Sequence, residues 1–210
     1  WFFAVKVLKL DLSGLKAVIL THSHGDHFSL KALDGFLGEA RGKVGFYCHE
    51  GTIPSLKLTE KELSRMRLHP LKTGDRVKLG KVTMQALGAN HEVSRTRETA
   101  LHYLFACEGK KFFYGCDGAW FLAQTWSVLR KHELDLAIME ATVGSMRANY
   151  RIASHNSLPM VDMLVEAMEE CGILRKDSLV VLSHLSRELH RPDEDYGSKI
   201  VAYDGMRLEI

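Results

Sequence analysis

The sequence predicts an α/β fold in which two β-sheets pack face to face and helices cover their outer sides. Three observations support this prediction: short β-branched or aromatic apolar runs arrive in series, helical patterns interrupt them, and polar loops follow several strand ends. Elements that each bury one apolar face favour packed layers around a common core. With 210 residues and 46% hydrophobic side chains, the chain fits one domain, which we assign to residues 1–210.

The predicted elements run from a short first strand to a terminal hairpin. Residues 17–20 form the first strand, and the leucines of residues 30–37 recur at helical spacing just after it. Near the end of the chain, an Asp204-Gly205 turn predicts a hairpin. In chain order, the other strands are predicted at 44–48, 77–79, 82–87, 100–107, 111–116, 134–140, 179–182, 199–202 and 206–210, and the other helices at 60–66, 121–130 and 158–171.

The composition excludes several classes of protein. The 28 basic and 26 acidic residues give a net charge of +2, too near balance for a surface that binds nucleic acid by bulk charge. No apolar run approaches the roughly 18 to 20 residues of a membrane span. The four cysteines are scattered without a CxxC pair, and the N-terminus shows no basic leader. We therefore expect a cytoplasmic protein with reduced thiols and no membrane partner.

The loop after the first strand concentrates chemistry in the stretch Thr21-His22-Ser23-His24-Gly25-Asp26-His27. Three imidazoles and one carboxylate within six positions are costly to place together unless they bind something. A tight turn lets His22 and His24 converge on one cation while Asp26 and His27 face a second one. The loop alone cannot complete either coordination shell.

Further candidate ligands stand where other apolar strands give way to polar loops. His91 follows the strand ending near Leu87, Asp117 follows the strand ending at Cys116, and His184 follows the strand ending near Leu182. A single histidine in such a position is more often structural than a ligand. Together with the loop after the first strand, this makes four placements at strand ends, which favours one shared metal centre over unrelated polar residues.

The stretch THSHGDH resembles the HxHxDH signature of the metallo-β-lactamase superfamily, and His91, Asp117 and His184 resemble its later single-residue motifs in order. The resemblance covers the chain from about residue 17 to the end. The resemblance implies an αββα four-layer sandwich of two mixed sheets with outer helices and a dinuclear metal centre at the sheet edge. Seven ligands with one shared leave room for a bridging hydroxide between two divalent ions, zinc or manganese, about 3.5 to 4 Å apart. The implied ligands are His22, His24 and His91 for the first ion, Asp26, His27 and His184 for the second, and Asp117 as the bridge.

Two more motifs resemble the phosphodiesterase branch of this superfamily, which includes tRNase Z. Glu140 ends the strand 134–140, and His155 lies in Ser154-His155-Asn156-Ser157 just before a long helix. In that branch a carboxylate orients a histidine that acts on the scissile phosphate. A His155 kept cationic by Glu140 could stabilise the developing charge and protonate the leaving oxygen. The resemblance thus makes Asp26, Asp117, Glu140 and His155 the catalytic residues.

Some features depart from the superfamily pattern. Only 21 residues precede His22, where members usually place several strands, so we expect residues 1–10 to cover an exposed sheet edge or further residues to precede Trp1. The 63 residues between His27 and His91 leave no room for the arm with which tRNase Z grips tRNA.

Weaker candidates for holding a phosphate are Arg95 and Arg97 in the loop after His91, and Arg187 beyond His184.

The sequence favours a phosphodiesterase acting on a small or cyclic phosphodiester and leaves two alternatives open. A thioester or lactone hydrolase of the glyoxalase II type would use the same seven ligands without Glu140 and His155. A persulfide dioxygenase-like protein would hold a single iron in the first site. We expect a small-molecule phosphodiester as the partner, with nucleic acid disfavoured and a homodimer open.

Overall fold

The computed structural model describes residues 2–93, 97–146 and 149–210, with side chains from Val5 onward. After a short N-terminal helix, strands and helices are interspersed, with a run of five consecutive strands in the middle of the chain. The helices are α1 (Phe2–Leu8), α2 (Leu30–Glu39), α3 (Glu60–Arg65), α4 (Ala123–Leu129) and α5 (Leu158–Glu170), with 3-10 turns at Glu50–Ser55 and Tyr150–Ala153. The strands are β1 (Ala17–Ile19), β2 (Val44–His49), β3 (Met66–Leu71), β4 (Arg76–Leu79), β5 (Val82–Gly88), β6 (Leu101–Cys107), β7 (Lys110–Gly115), β8 (Leu134–Glu140), β9 (Leu174–Ser183) and β10 (Ile200–Val201).

The strands form two sheets. The smaller has three parallel strands in the order β1-β2-β3, and the larger has seven in the order β10-β9-β8-β7-β6-β5-β4. In the larger sheet β4 to β7 pair antiparallel, whereas β7, β8, β9 and β10 run parallel. The large sheet is mixed as predicted, whereas the small sheet, which was also predicted to be mixed, is all parallel.

The core consists of three apolar layers that separate four layers of secondary structure. Between the sheets, Tyr47 and Leu71 of the small sheet pack with Met84, Leu101 and Tyr103 of the large one. Behind the small sheet, α2 buries its leucines against β2. Behind the large sheet, α4 and α5 cover β5 to β9. The αββα arrangement is therefore confirmed.

The longest helix, α5, illustrates how sequence pattern produces this packing. Ser157 precedes it in extended conformation and Pro159 stands in the first turn, where its missing N–H costs nothing. Its buried residues Leu158, Val161, Leu164 and Met168 recur every three or four positions, with Met160 buried beside them, so one face meets the sheet. Gly172 follows the helix with φ of +68°, the left-handed conformation that ends many helices.

Parallel pairing brings three strand ends to one edge of the large sheet. Gly115 of β7 lies one register position from the end of β8, and Glu140 of β8 pairs with Ser183 of β9. The residues that follow these strands are therefore neighbours, although they are distant in sequence. The loop after β1 reaches the same edge, because Leu101 N–H donates to the carbonyl of Thr21 at 2.9 Å.

Three elements differ from the prediction. The strand β9 begins at Leu174, five residues before the predicted 179–182. The prediction of a terminal hairpin is wrong: only Ile200–Val201 forms a strand, and it pairs parallel with Val181 and Leu182 at the edge of β9. The strand β3 was not predicted, since Arg67 and Pro70 break its apolar pattern. Proline is tolerated there because β3 is an edge strand.

The first residues form helix α1 and pair with no strand among the described residues. β1 has one partner, β2, and an apolar cavity of about 1000 Å³ lies beside it, lined by residues such as Ile19, Phe105 and Phe112. Whether residues precede Trp1 stays a prediction. Within the described ranges, none of the helices combines the length and the apolar character that a membrane crossing requires.

Candidate metal centre

The loop between β1 and α2 is a tight turn that gathers its imidazoles. The N–H groups of His27 and Phe28 both donate to the carbonyl of His24, at 2.9 and 2.8 Å. The Thr21 hydroxyl lies 3.1 Å from His22 Nδ1 and 3.4 Å from His27 Nδ1. These bonds fix the two rings by one nitrogen each and leave the other nitrogen free to face the centre.

A first group of donors consists of His22, His24 and His91. His24 Nδ1 lies 3.0 Å from His22 Nε2 and 3.1 Å from His91 Nε2. All three ligand atoms lie within 4.8 Å of one another. The structure thus brings together the three residues predicted to hold the first ion.

A second group consists of Asp26, His27 and His184, together with Asp117. His27 Nε2 and His184 Nε2 are 3.2 Å apart, and Asp26 Oδ2 lies 3.4 Å from His184 Nε2. Asp26 is 65% exposed, so this group opens toward solvent. These are the residues predicted to hold the second ion.

Asp117 lies between the two groups and is almost fully buried. Its Oδ2 is 3.0 Å from His27 Nε2 and 3.8 Å from His22 Nε2, and its Oδ1 is 3.1 Å from His184 Nδ1. Burial alone would raise the pKa of Asp117, but the hydrogen bond from His27 and the electrostatic interactions with the surrounding histidines outweigh it and hold the pKa well below its usual range. A buried carboxylate that faces both groups is suited to a bridging position.

The donor geometry fits divalent metal ions. Two donors bound at 2.0 to 2.1 Å around a tetrahedral ion are about 3.3 to 3.4 Å apart, and the closest imidazole nitrogens here are 3.0 to 3.2 Å apart. Metal binding needs neutral imidazole. Burial and the neighbouring imidazoles lower the pKa of His22 to about 2, and burial lowers the pKa of His91. The assignment of these residues as ligands stays a prediction.

The remaining nitrogens of two candidate ligands each have a close partner outside the ligand set. His91 Nδ1 lies 3.0 Å from the Ser154 carbonyl, which can only accept, so this nitrogen carries the proton. His184 Nδ1 lies 2.8 Å from the Thr142 hydroxyl. Such contacts select the tautomer and aim the opposite nitrogen at a metal.

Glu140 and His155 adjoin this centre. His155 Nδ1 lies 3.3 Å from Glu140 Oε1 and 3.7 Å from Asp117 Oδ1. Burial alone would lower the pKa of His155, but the contact with Glu140, reinforced by Asp117, outweighs it and holds the pKa above its ordinary value. A histidine that keeps its proton beside two carboxylates is equipped to act as a general acid.

Glu140 is itself fully buried and held by hydrogen bonds. Oε1 accepts from the N–H of Asn156 at 2.8 Å and of Gly118 at 3.3 Å. Oε2 accepts from the N–H of Thr142 at 2.8 Å and from its hydroxyl at 2.6 Å. Because both oxygens have fixed donors, the carboxylate cannot rotate away from His155.

Three residues around the centre were missed as functional candidates. Thr142 links Glu140 to His184, and Asn156 Nδ2 donates to the Gly118 carbonyl at 2.8 Å. His102 lies fully buried beneath the centre, with Nε2 2.9 Å from the Asp117 carbonyl, and burial lowers its pKa to about 4. Their positions next to Glu140 and His155 in the motifs could have indicated Thr142 and Asn156. Nothing in the sequence distinguishes His102 from an ordinary strand residue.

The structure adds little support for the arginines that the sequence suggested for phosphate binding. Arg95 lies outside the described residues, while Arg97 and Arg187 are exposed.

The cavity over the centre has a volume of about 520 Å³. Its walls come from the loop of residues 21–27, called the metal loop below, from the segments after the strand ends and from the 3-10 turn before α5. Its lining residues are His24, Asp26, His91, Glu92, Asp117, Thr142, Tyr150, Arg151, Ser154, His155, His184, Ser186 and Glu188.

Comparison with known proteins agrees with this architecture. Residues 3–185 match the family model described as Beta-lactamase superfamily domain, whereas none of the curated proteins matches the chain. The metallo-β-lactamase fold protein YhfI from Bacillus subtilis is 18% identical with a TM-score of 0.69, covering 93% of this chain and 78% of YhfI. A diphosphatase from the PhnP family is 19% identical, TM-score 0.68, covering 92% and 70%. The short form of human tRNase Z is 18% identical, TM-score 0.68, covering 96% and 82%.

At these identities the structural similarity concerns the fold, and the family match covers most of the chain. The matched region includes the metal loop and every later candidate ligand up to His184. The chain belongs to the metallo-β-lactamase superfamily of metal-dependent hydrolases.

Proposed function

We propose that this protein is a phosphodiesterase that binds two divalent metal ions and cleaves a small phosphodiester. The observation that carries the proposal is the ion pair of His155 with the buried Glu140, 3.3 Å apart, at the side of the candidate ligands. Hydrolysis of a phosphodiester needs a proton for the leaving alkoxide, and this pair supplies one at a fixed place. In thioester hydrolysis the leaving group is a thiolate, which is stable without a proton, so a thioester hydrolase would have less use for this pair.

The residues of the chain have separable tasks in this proposal. His155 donates its proton to the leaving oxygen and, while cationic, stabilises charge on the phosphate. Glu140 keeps the ring protonated and oriented. Bound at the two donor groups, divalent ions would activate a water and neutralise phosphate charge.

The cavity supports a small substrate. At about 520 Å³ it is within the range of pockets that enclose small molecules. Its rim carries two exposed carboxylates, Glu92 and Glu188. These charges oppose a run of phosphates and so disfavour long nucleic acid.

Two of the similar structures carry names that support phosphorus chemistry, the PhnP-family diphosphatase and tRNase Z. Another similar structure is a zinc-bound PqqB from Methylobacterium extorquens, 13% identical with a TM-score of 0.67, which supports zinc in this fold. For this chain, zinc and manganese both remain candidates.

The proposal is tested by loading the purified protein with zinc or manganese and comparing two substrates. We expect turnover of bis(p-nitrophenyl) phosphate and little turnover of a thioester such as S-lactoylglutathione. The opposite preference would overturn the proposal and favour the glyoxalase II-type alternative. One equivalent of iron in protein as isolated from cells, with oxygen uptake on a persulfide, would instead favour the dioxygenase alternative.

A further inference from the structure

The rim of the cavity over the metal centre exposes an aromatic ring beside a cation. Tyr150 is 82% exposed, which is the largest exposed fraction of any large hydrophobic side chain among the described residues. The guanidinium carbon of Arg151 lies 5.7 Å from the Tyr150 ring centroid. Both residues line the same cavity as His155 and the candidate ligands. An aromatic ring that stays in water at the mouth of a site is free to stack with a ligand.

The backbone fixes these two side chains relative to the catalytic group. Tyr150 and Arg151 begin the 3-10 turn Tyr150–Ala153, capped by Asn149, whose Oδ1 accepts from the Arg151 N–H at 3.0 Å. The Arg151 carbonyl accepts from the N–H of His155 at 2.8 Å and of Ser154 at 2.9 Å. The turn carries the aromatic ring and the cation, and its hydrogen bonds fix the general acid His155 two residues after it.

The charge of Arg151 is available to a ligand. No carboxylate of the described residues lies within 4 Å of its guanidinium, whereas Arg175 contacts three, from Glu133, Asp135 and Asp177. Arg151 also lies near enough to His155 to repel its positive charge. An unpaired guanidinium next to the reacting centre suits a phosphate oxygen, which it can bind with two N–H groups.

We propose that Tyr150 and Arg151 form a subsite for a planar aromatic group carried by the substrate phosphate, so that the substrate is a nucleoside-type phosphodiester. The base stacks on the Tyr150 ring and Arg151 holds an oxygen of the phosphate. This proposal rests on the phosphodiesterase function. The acidic rim limits the substrate to few phosphates, and base stacking on one tyrosine is tolerant of base identity.

The test uses two esters with the same leaving group, thymidine p-nitrophenyl phosphate and methyl p-nitrophenyl phosphate. We expect the zinc-loaded protein to show a KM about 10-fold lower for the thymidine ester, as base stacking on an aromatic ring provides. Tyr150→Ala should abolish this KM preference, and Tyr150→Phe should keep it, because stacking needs the ring and not the hydroxyl. Tyr203→Ala is the control, since Tyr203 is 69% exposed and lies outside the cavity lining.

Arg151→Met should raise the KM of both esters about equally, and Arg151→Lys should recover part of the loss. Equal KM values for the two esters in the unchanged protein, or a preference that survives in Tyr150→Ala, would overturn the subsite. If neither ester is hydrolysed, the phosphodiesterase function fails, and calorimetry decides the subsite separately. Thymidine monophosphate must then bind the zinc-loaded protein about 10-fold more tightly than methyl phosphate, and equal binding would reject the subsite.

Discussion

The hydroxyl of Thr142 lies 2.8 Å from His184 Nδ1 and 2.6 Å from Glu140 Oε2. A hydroxyl has one proton to donate, and the shorter contact, to a carboxylate, takes it. Its lone pairs then accept from His184 Nδ1–H, which leaves His184 Nε2 unprotonated toward His27 and Asp26. One small side chain therefore connects the proton-donating pair to a candidate metal ligand.

Thr142→Val is expected to weaken metal binding at the second group of donors by about 10-fold to 100-fold, because the shape is kept while the orienting hydroxyl is lost. Zinc affinity measured by competition with a chromophoric chelator checks this. Thr142→Ser keeps the hydroxyl and should bind zinc nearly as the unchanged protein does. Equal affinities in the Val variant and the unchanged protein would show that Thr142 does not orient His184.

His155→Ala is expected to leave the metal content unchanged and to lower kcat on a phosphodiester with a poor leaving group by about 100-fold to 10,000-fold. The loss should be smaller with p-nitrophenolate, which hardly needs a proton. His69→Ala is the control, because His69 stacks on Tyr47 at 4.4 Å and lies outside the cavity lining. An undiminished kcat on the poor leaving group would remove His155 as the acid.

Glu140→Gln is expected to produce a partial version of the same kinetic defect, because an amide no longer keeps His155 cationic. The structure adds a second consequence. Each Glu140 oxygen faces a backbone N–H at 2.8 Å, from Asn156 or Thr142, so the amide NH₂ would meet another donor in either orientation and the variant should also lose about 1 to 3 kcal/mol of unfolding free energy. Denaturant unfolding and kcat on intact protein separate the two effects, and a variant as stable as the unchanged protein would contradict the hydrogen-bond assignment.

Two equivalents of metal per chain are expected by elemental analysis after zinc loading, because the seven predicted ligands form two groups, and the third group of donors, Asp117, Glu140, His155 and His184, shares two residues with the second. Asp26→Ala should retain one equivalent, since Asp26 belongs only to the second group. Zinc at 100 times its Kd should stabilise the fold by about 2.7 kcal/mol, which corresponds to a rise in Tm of roughly 5 to 10 °C for a chain of this size. A single equivalent in the unchanged protein would refute the dinuclear centre.

The sequence was most informative where local pattern and chemistry coincide. The strand 134–140 matches β8 residue for residue, and the helix that begins at Leu158 ends one residue earlier than predicted. The seven predicted ligands came from one dense motif and from polar residues directly after apolar strands. The structure brings all seven together, with His155 beside them.

What the sequence could not supply depends on contacts made by tertiary packing. Ile200 and Val201 form no hairpin and instead pair with Val181 and Leu182 of β9. This partner is distant in sequence, so the local pattern does not reveal it. The role of Thr142 depends on its distance to His184, 42 positions away. His102 lies in β6 with no local signal that marks it, and only the tertiary fold brings its Nε2 to within 2.9 Å of the Asp117 carbonyl.

A final prediction concerns an ion cluster that ties three strands of the large sheet. Asp135 accepts from the Lys111 N–H at 2.8 Å, from Lys110 Nζ at 3.1 Å and from Arg175 Nη2 at 3.0 Å, and these donors, the backbone N–H foremost, lower its pKa to about 2. A folded-state pKa below the unfolded value of about 3.9 stabilises the protein at higher pH, and the stabilisation is lost as the pH falls toward 2. Asp135→Asn should therefore lower the unfolding free energy by about 1 to 2 kcal/mol at pH 7. In urea unfolding this difference should shrink below about pH 4. Asp177→Asn is the control: Asp177 also contacts Arg175 but is 78% exposed, so its substitution should have little effect on the unfolding free energy at any pH. A deficit in Asp135→Asn that stays constant down to the acid limit of folding would show that packing, and not charge, makes Asp135 stabilising.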